Sequence, residues 1–134
     1  MKTTENSKKT KLYDHPLTGK VIGCAIEVHR HLGPGLLEST YQRCLAKELV
    51  LAKIPFLAEH PIPVHYKGNV LDCGYRADLL IDNFLIVELK AVEKISRIHQ
   101  AQLITYMKLA EAPIGLLVNF NSGLLKDGIR KFVL

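Results

Sequence analysis

The sequence predicts a mixed α/β (α+β) fold, a mixed β-sheet flanked by helices, with elements in the order α-α-β-β-β-α-β-β. Three observations carry this. Apolar residues recur at helical spacing up to residue 52, and alternating or continuous apolar runs follow from 56 to 89. A capped helical stretch then separates two apolar runs, 84–89 and 114–120.

The first helix is expected over Thr18–His31, where Val21, Ile22, Ala25, Ile26 and Val28 form an apolar face and Thr18 offers an N-cap. Gly33-Pro34-Gly35 breaks the chain, and a second helix from Leu36 to Ala52 carries Leu37, Tyr41, Cys44, Leu45 and Leu49. The tight corner between them predicts an αα-hairpin. Phe56–Tyr66 reads as a strand in which Pro61 and Pro63 demote part to an edge. Lys67-Gly68-Asn69 is a turn, and Leu71–Ile81 alternates with Cys73, Tyr75, Ala77, Leu79 and Ile81 on one face. Asp82-Asn83 is turn chemistry, and Phe84–Leu89 reads as a buried central strand broken only by Glu88. Ser96 caps a helix to Glu111, with Ile98, Leu103, Met107 and Ala110 toward the core. After Pro113, Ile114–Phe120 is a strand, 123–128 a connector and Ile129–Val133 a short last strand.

The chain has 134 residues, which fits one domain over 12–134 behind a flexible basic tail at 1–11. Of the formal charge of +5, the tail holds +3, from Lys2, Lys8, Lys9 and Lys11 against Glu5. Net charge therefore argues only mildly for a nucleic-acid partner. No apolar run approaches the roughly 20 residues of a membrane helix, and 1–10 lacks a signal peptide's apolar middle. Cys24, Cys44 and Cys73 form no C-x-x-C pair and read as reduced, small core residues of a cytoplasmic protein.

Asp78, Glu88 and Lys90 do not belong in apolar strands, because charges are rarely buried unless paired or metal-bound. Glu88 and Lys90 share one face. A three-residue loop, Asp82-Asn83-Phe84, would put Asp78 opposite Glu88, whereas a two-residue loop would put it opposite Val87. In the first case the β-carbons lie roughly 5 Å apart. Two carboxylates that close repel unless one is protonated or a cation lies between them, and Mg²⁺ takes such oxygens. The bland alternative is an ion pair that holds the sheet in register. The spacing Asp-x9-Glu-x-Lys across a hairpin favours the functional reading. Gln102 and Tyr106 share a face of the following helix, and Glu38 and Tyr41 lie in the first turns of the second.

Asp78 followed by Glu88-Leu89-Lys90 resembles the signature of the PD-(D/E)XK nuclease superfamily. Gln102-Leu103-Ile104-Thr105-Tyr106 resembles the Q-x-x-x-Y motif of its RecB-like branch. Gly35-Leu36-Leu37-Glu38-Ser39-Thr40-Tyr41 matches the pattern of the GxxExxY proteins. Ala77 stands where the superfamily name has proline. The resemblance implies a restriction-endonuclease-like core and cleavage of phosphodiester bonds with Mg²⁺ (or Mn²⁺). It makes Asp78, Glu88, the Leu89 carbonyl and Glu38 metal ligands. Lys90 would orient the attacking water, and Gln102 and Tyr106 would position the phosphate or nucleophile. The implied partner is nucleic acid, DNA ahead of RNA.

A non-catalytic nucleic-acid-binding or assembly module is the alternative, though such a module would be expected to have lost part of the charged set. A purely structural ion-pair network is a third reading. His29 and His31 cannot share a helical face, so they form no zinc pair. His99 lies three residues before Gln102, and Lys94, Arg97 and Lys108 are candidates for a phosphate track. Exposed sheet edges would permit a homodimer.

Overall fold

A computed structural model describes residues 15–134. The basic tail at 1–11 lies outside the described residues. Helix α1 (Pro16–Leu32) begins two residues before the expected cap, with His15 Nδ1 accepting from the Leu17 amide at 3.1 Å. Pro16 explains the earlier start, since its fixed φ suits the first helical position and it has no amide to satisfy. Thr18 is therefore buried inside the first turn, and its hydroxyl has no hydrogen-bond partner among the described residues. Helix α2 (Glu38–Leu51) starts at Glu38 rather than Leu36. Between the helices, Gly33 and Gly35 take φ of 66° and 104°, a left-handed corner that glycine adopts without steric cost.

The two longest expected strands each divide. Phe56–Tyr66 becomes β1 (Phe56–Pro61) and β2 (Val64–Tyr66), because prolines 61 and 63 cannot donate to a ladder. Leu71–Ile81 becomes β3 (Asn69–Leu71) and β4 (Arg76–Ile81), separated by a turn in which Asp72 Oδ1 accepts from the Gly74 amide at 3.0 Å. Cys73 consequently sits exposed in that turn rather than in the core, while Cys24 and Cys44 are half-buried. Strands β2 and β3 form a separate antiparallel hairpin.

The main sheet has the order β1-β4-β5-β6-β7, with β5 (Leu85–Lys90), β6 (Ile114–Asn119) and β7 (Ile129–Val133) completing it. Only β5 and β6 are parallel, and helix α3 (Arg97–Ala110) makes the crossover between them. With the small hairpin set aside, the sheet and its helices follow the expected order. A short 3-10 helix (Leu125–Gly128) precedes β7.

The core has two layers. On one face Leu79, Leu85, Val87, Leu89, Leu116 and Val118 pack against Val21, Ala25, Tyr41 and Leu45 of α1 and α2. On the other, Leu80, Ile86 and Leu117 meet Leu103, Tyr106 and Met107 of α3. Strand β5 is thus covered on both faces, as its apolar run requires. Gly115 sits beneath α3, where an added β-carbon would lie 2.4 Å from Met107 Sδ. Ile98, expected in the core, is 72% exposed because it lies off the Leu103–Met107 stripe.

Candidate active site

The β4–β5 loop is Asp82-Asn83-Phe84, with Ile81 paired to Leu85. Asp82 and Asn83 both take left-handed backbone, which short polar side chains tolerate. This is the three-residue alternative, and the register carries Asp78 opposite Glu88. Backbone pairing ends one step short, at Leu79 and Val87. There side chains take over. The Asp78 amide donates to Glu88 Oε1 at 3.0 Å, and the Leu89 amide donates to Asp78 Oδ2 at 2.8 Å. Each side chain thus ties one strand to the other's backbone where the paired ladder stops.

The electrostatics follow from this placement. Glu88 is 5% exposed, and burial followed by the Asp78 charge pushes its pKa up to about 8. Burial also raises Asp78, helped by the charges of Glu59 and Glu38, while the Leu89 amide and Lys90 act in the opposite direction. Lys90 is half-buried two residues beyond Glu88 on the same face, and its backbone carbonyl accepts from the Phe120 amide at 2.8 Å. Tyr106 is buried on α3; its hydroxyl is raised first by desolvation and then by the charges of Glu88, Tyr75 and Asp78. Its ring lies 5.9 Å from that of Tyr75.

Glu38 is the first residue of α2 and lies exposed in a cavity it shares with Ala91, just beyond Lys90. Tyr41 does not face the carboxylates. Its hydroxyl donates to the Gly33 carbonyl and accepts from the Leu36 amide at 3.1 Å, and its ring stacks on Phe120 at 4.4 Å. It braces the glycine corner that delivers Glu38. Gln102 is exposed on α3 and has no hydrogen bond among the described residues. His99 is withdrawn from the site: it forms a capping box with Ser96. His29 bonds the Ser122 carbonyl at 2.8 Å and His31 pairs with Glu27, so the two point to different partners.

Three contributors escape the sequence pattern. Glu59 falls opposite Asp78 between the pairs Ala58–Leu79 and His60–Ala77, but its φ of 52° interrupts the ladder there. Gln42 Nε2 donates to Glu59 Oε1 at 2.7 Å and to the Asp78 carbonyl at 3.1 Å. The available signal is the i, i+4 spacing of Glu38 and Gln42, which puts them on one face of α2. Asn119 is a third. Buried opposite Lys90, it holds both backbone groups of Val92, at 3.1 and 2.8 Å, and so fixes the chain leaving β5.

Among the described residues, no group of three or more His, Cys, Asp or Glu side chains is placed to hold a metal ion. Asp78 and Glu88 nonetheless form an all-oxygen donor pair whose mutual repulsion a cation relieves. Mg²⁺ is commonly bound by one or two carboxylates with water and substrate phosphate completing its shell, so this donor set fits it.

A sheet with a single parallel crossover, helices on both faces and a carboxylate pair at a hairpin's end defines a restriction-endonuclease-like domain. A family model described as the PD-(D/E)XK nuclease superfamily matches residues 15–132, and the chain belongs to that superfamily. Its fold is therefore nuclease-type, nucleic acid is the substrate class the superfamily implies, and its nucleases generally use divalent metals. No curated protein and no solved structure matches the chain. No described helix is long and apolar enough to cross a membrane.

Proposed function

We propose that residues 12–134 form one domain that hydrolyses phosphodiester bonds of nucleic acid, DNA ahead of RNA, with Mg²⁺ or Mn²⁺. The observation that carries this is the facing pair Asp78–Glu88 beside Lys90, a half-buried and a buried carboxyl both raised in pKa by burial, Glu88 further by the Asp78 charge and Asp78 by Glu59 and Glu38. In this reading Asp78, Glu88 and the Leu89 carbonyl hold the metal, with Glu38 a further acid from α2. A bound metal of this kind acidifies water and neutralises charge on a phosphoryl oxygen. Lys90 sets a point charge beside the reacting phosphate, and Tyr106, with Gln102 one turn away, orients it. Gln42 and Asn119 keep the backbone of Asp78 and the exit from Lys90 in place.

The Gly35–Glu38–Tyr41 spacing and the Gln102–Tyr106 pair support membership of the GxxExxY proteins and the RecB-like branch. The reading takes the protein as cytoplasmic, where Cys24, Cys44 and Cys73 stay free thiols.

Single- and double-stranded DNA and RNA incubated with the protein in Mg²⁺ or Mn²⁺ provide the test. Cleavage is expected from the wild type and lost in Asp78→Ala, Glu88→Ala and Lys90→Ala. Cleavage that survives all three changes refutes the site. Binding of nucleic acid without cleavage under any metal would instead support a non-catalytic module.

A further inference from the structure

Helix α3 has two distinct flanks. At about 100° per residue, Gln102 and Tyr106 lie toward one side of the buried Leu103–Met107 stripe, and Arg97 and Gln100 toward the other. On this second flank opens a cavity of about 530 Å³, lined by Lys94, Ile95, Ser96, Arg97, Gln100 and Arg130. Its three cations come from three separate elements: the segment after β5, the first residue of α3, and β7. No acidic residue lines it.

These cations are not committed to the fold. Lys94 and Arg97 have no hydrogen-bond or ion-pair partner among the described residues. The Arg130 guanidinium meets only the carbonyls of Asp127 and Ile129, each at 3.4 Å. All three side chains are exposed. An adjoining cavity shares Lys94, Ile95 and Arg130 but adds Glu93 and Asp127, so the positive potential ends on that side. The attraction comes from side chains rather than the helix end, because the Ser96 hydroxyl already accepts from the His99 amide.

Sheet register relates this cavity to the carboxylates. Glu88 pairs with Leu117, and Leu117 pairs with Arg130. Paired residues share a face, so Glu88 and Arg130 lie on the same side of the sheet, two strand spacings or roughly 10 Å apart. Arg97, the first residue of α3, lines the cavity together with Arg130.

We infer that the Lys94–Arg97–Arg130 cavity is a second anion site, which seats a backbone phosphate of the nucleic acid away from the one attacked. It rests on the proposed action on nucleic acid and adds the course of the strand, across the first turn of α3 toward β7. Two arginines suit this, since the guanidinium fork matches phosphate oxygens. Of the sequence's phosphate-track candidates, Lys94 and Arg97 belong to this cavity, Lys108 does not line it, and Arg130 takes its place.

The test is equilibrium binding of a fluorescent duplex DNA in a metal chelator across a salt series. The proteins are the wild type, the triple variant Lys94→Ala/Arg97→Ala/Arg130→Ala, the control Arg43→Ala/Lys47→Ala on α2, and Asp78→Ala. Thermal melts verify folding; the substituted cations are surface residues. Three lost phosphate contacts lower the slope of log K against log salt by ~2.7, so from about 50 to about 200 mM salt the wild type loses ~40-fold more affinity than the triple variant. The control is expected to keep the wild-type slope. An unchanged slope in the triple variant, or an equal fall in the control, overturns the inference. Cleavage is scored separately in Mg²⁺. Asp78-dependent cleavage with an unchanged triple-variant slope sinks the second site alone, and a lowered slope without cleavage sinks the nuclease reading alone.

Discussion

Replacing Glu88 by glutamine reports directly on the buried pair. Glutamine keeps an oxygen to accept the Asp78 amide but cannot ionise. Folded Glu88 titrates near 8 against an ordinary 4.5, a raised value. Its contribution to stability is therefore fully present below the unfolded pKa. It declines as pH rises, because the unfolded chain ionises while the native state stays protonated, and it levels off above the folded pKa. At roughly 1.4 kcal/mol per unit, the passage from about pH 5 to about pH 9 removes about 4 kcal/mol from the metal-free wild type. Glu88 is 5% exposed, so solvent screens little of this. Urea unfolding in a chelator, at a series of pH values, measures it. The wild type is expected to lose several kcal/mol more than Glu88→Gln over that range, and saturating Mg²⁺ at the alkaline end is expected to restore the wild type alone. Parallel stability profiles for the two proteins would refute the argument that burial and the Asp78 charge hold Glu88 protonated.

Three further outcomes are expected. Tyr41→Phe removes the hydroxyl shared by the Gly33 carbonyl and the Leu36 amide, and should cost about 1–3 kcal/mol in chemical denaturation. Unchanged stability would mean that water replaces it at the corner. Gly115→Ala drives a methyl group into Met107 and Leu103 and should cost about 1–3 kcal/mol, read as a lowered midpoint with an unchanged m-value. Glu59→Gln keeps an oxygen for Gln42 but removes a charge beside Asp78, and calorimetry should show ~10-fold weaker Mg²⁺ binding; equal affinity would make Glu59 a bystander.

The order of the sheet and its helices was legible because β5 and β6 are apolar on both faces and α3 is announced by Ser96. The interruptions were harder to place. Alternation through Cys73 and Tyr75 continues past Asp72 as if the strand did, and only the Asx turn with Gly74 breaks it. The cap at His15 was hidden because histidine is a less usual N-cap than threonine, although Pro16 marked the helix start. Asp78 and Glu88 stood out because strands rarely bury charge, and the loop length that settles their register needs the backbone, since two- and three-residue loops both accept Asp82 and Asn83. Glu59 was invisible for a related reason. Its role depends on a positive φ, and glutamate in an edge strand otherwise reads as ordinary surface. The basic cavity gathers residues from positions 94 to 130, a juxtaposition that only the β6–β7 pairing creates.

The left-handed Glu59 has a consequence for how the protein keeps to itself. Strand β1 is an outer strand, and its edge, unpaired among the described residues, is a template on which another chain could add. A residue at φ 52° in its middle and Pro61 at its end break the even row of donors and acceptors such an addition needs. The kink that turns an acid toward Asp78 thereby blunts the margin of the sheet against fibril growth, and a flat, β-branched substitute at 59 would surrender solubility together with the fourth carboxylate.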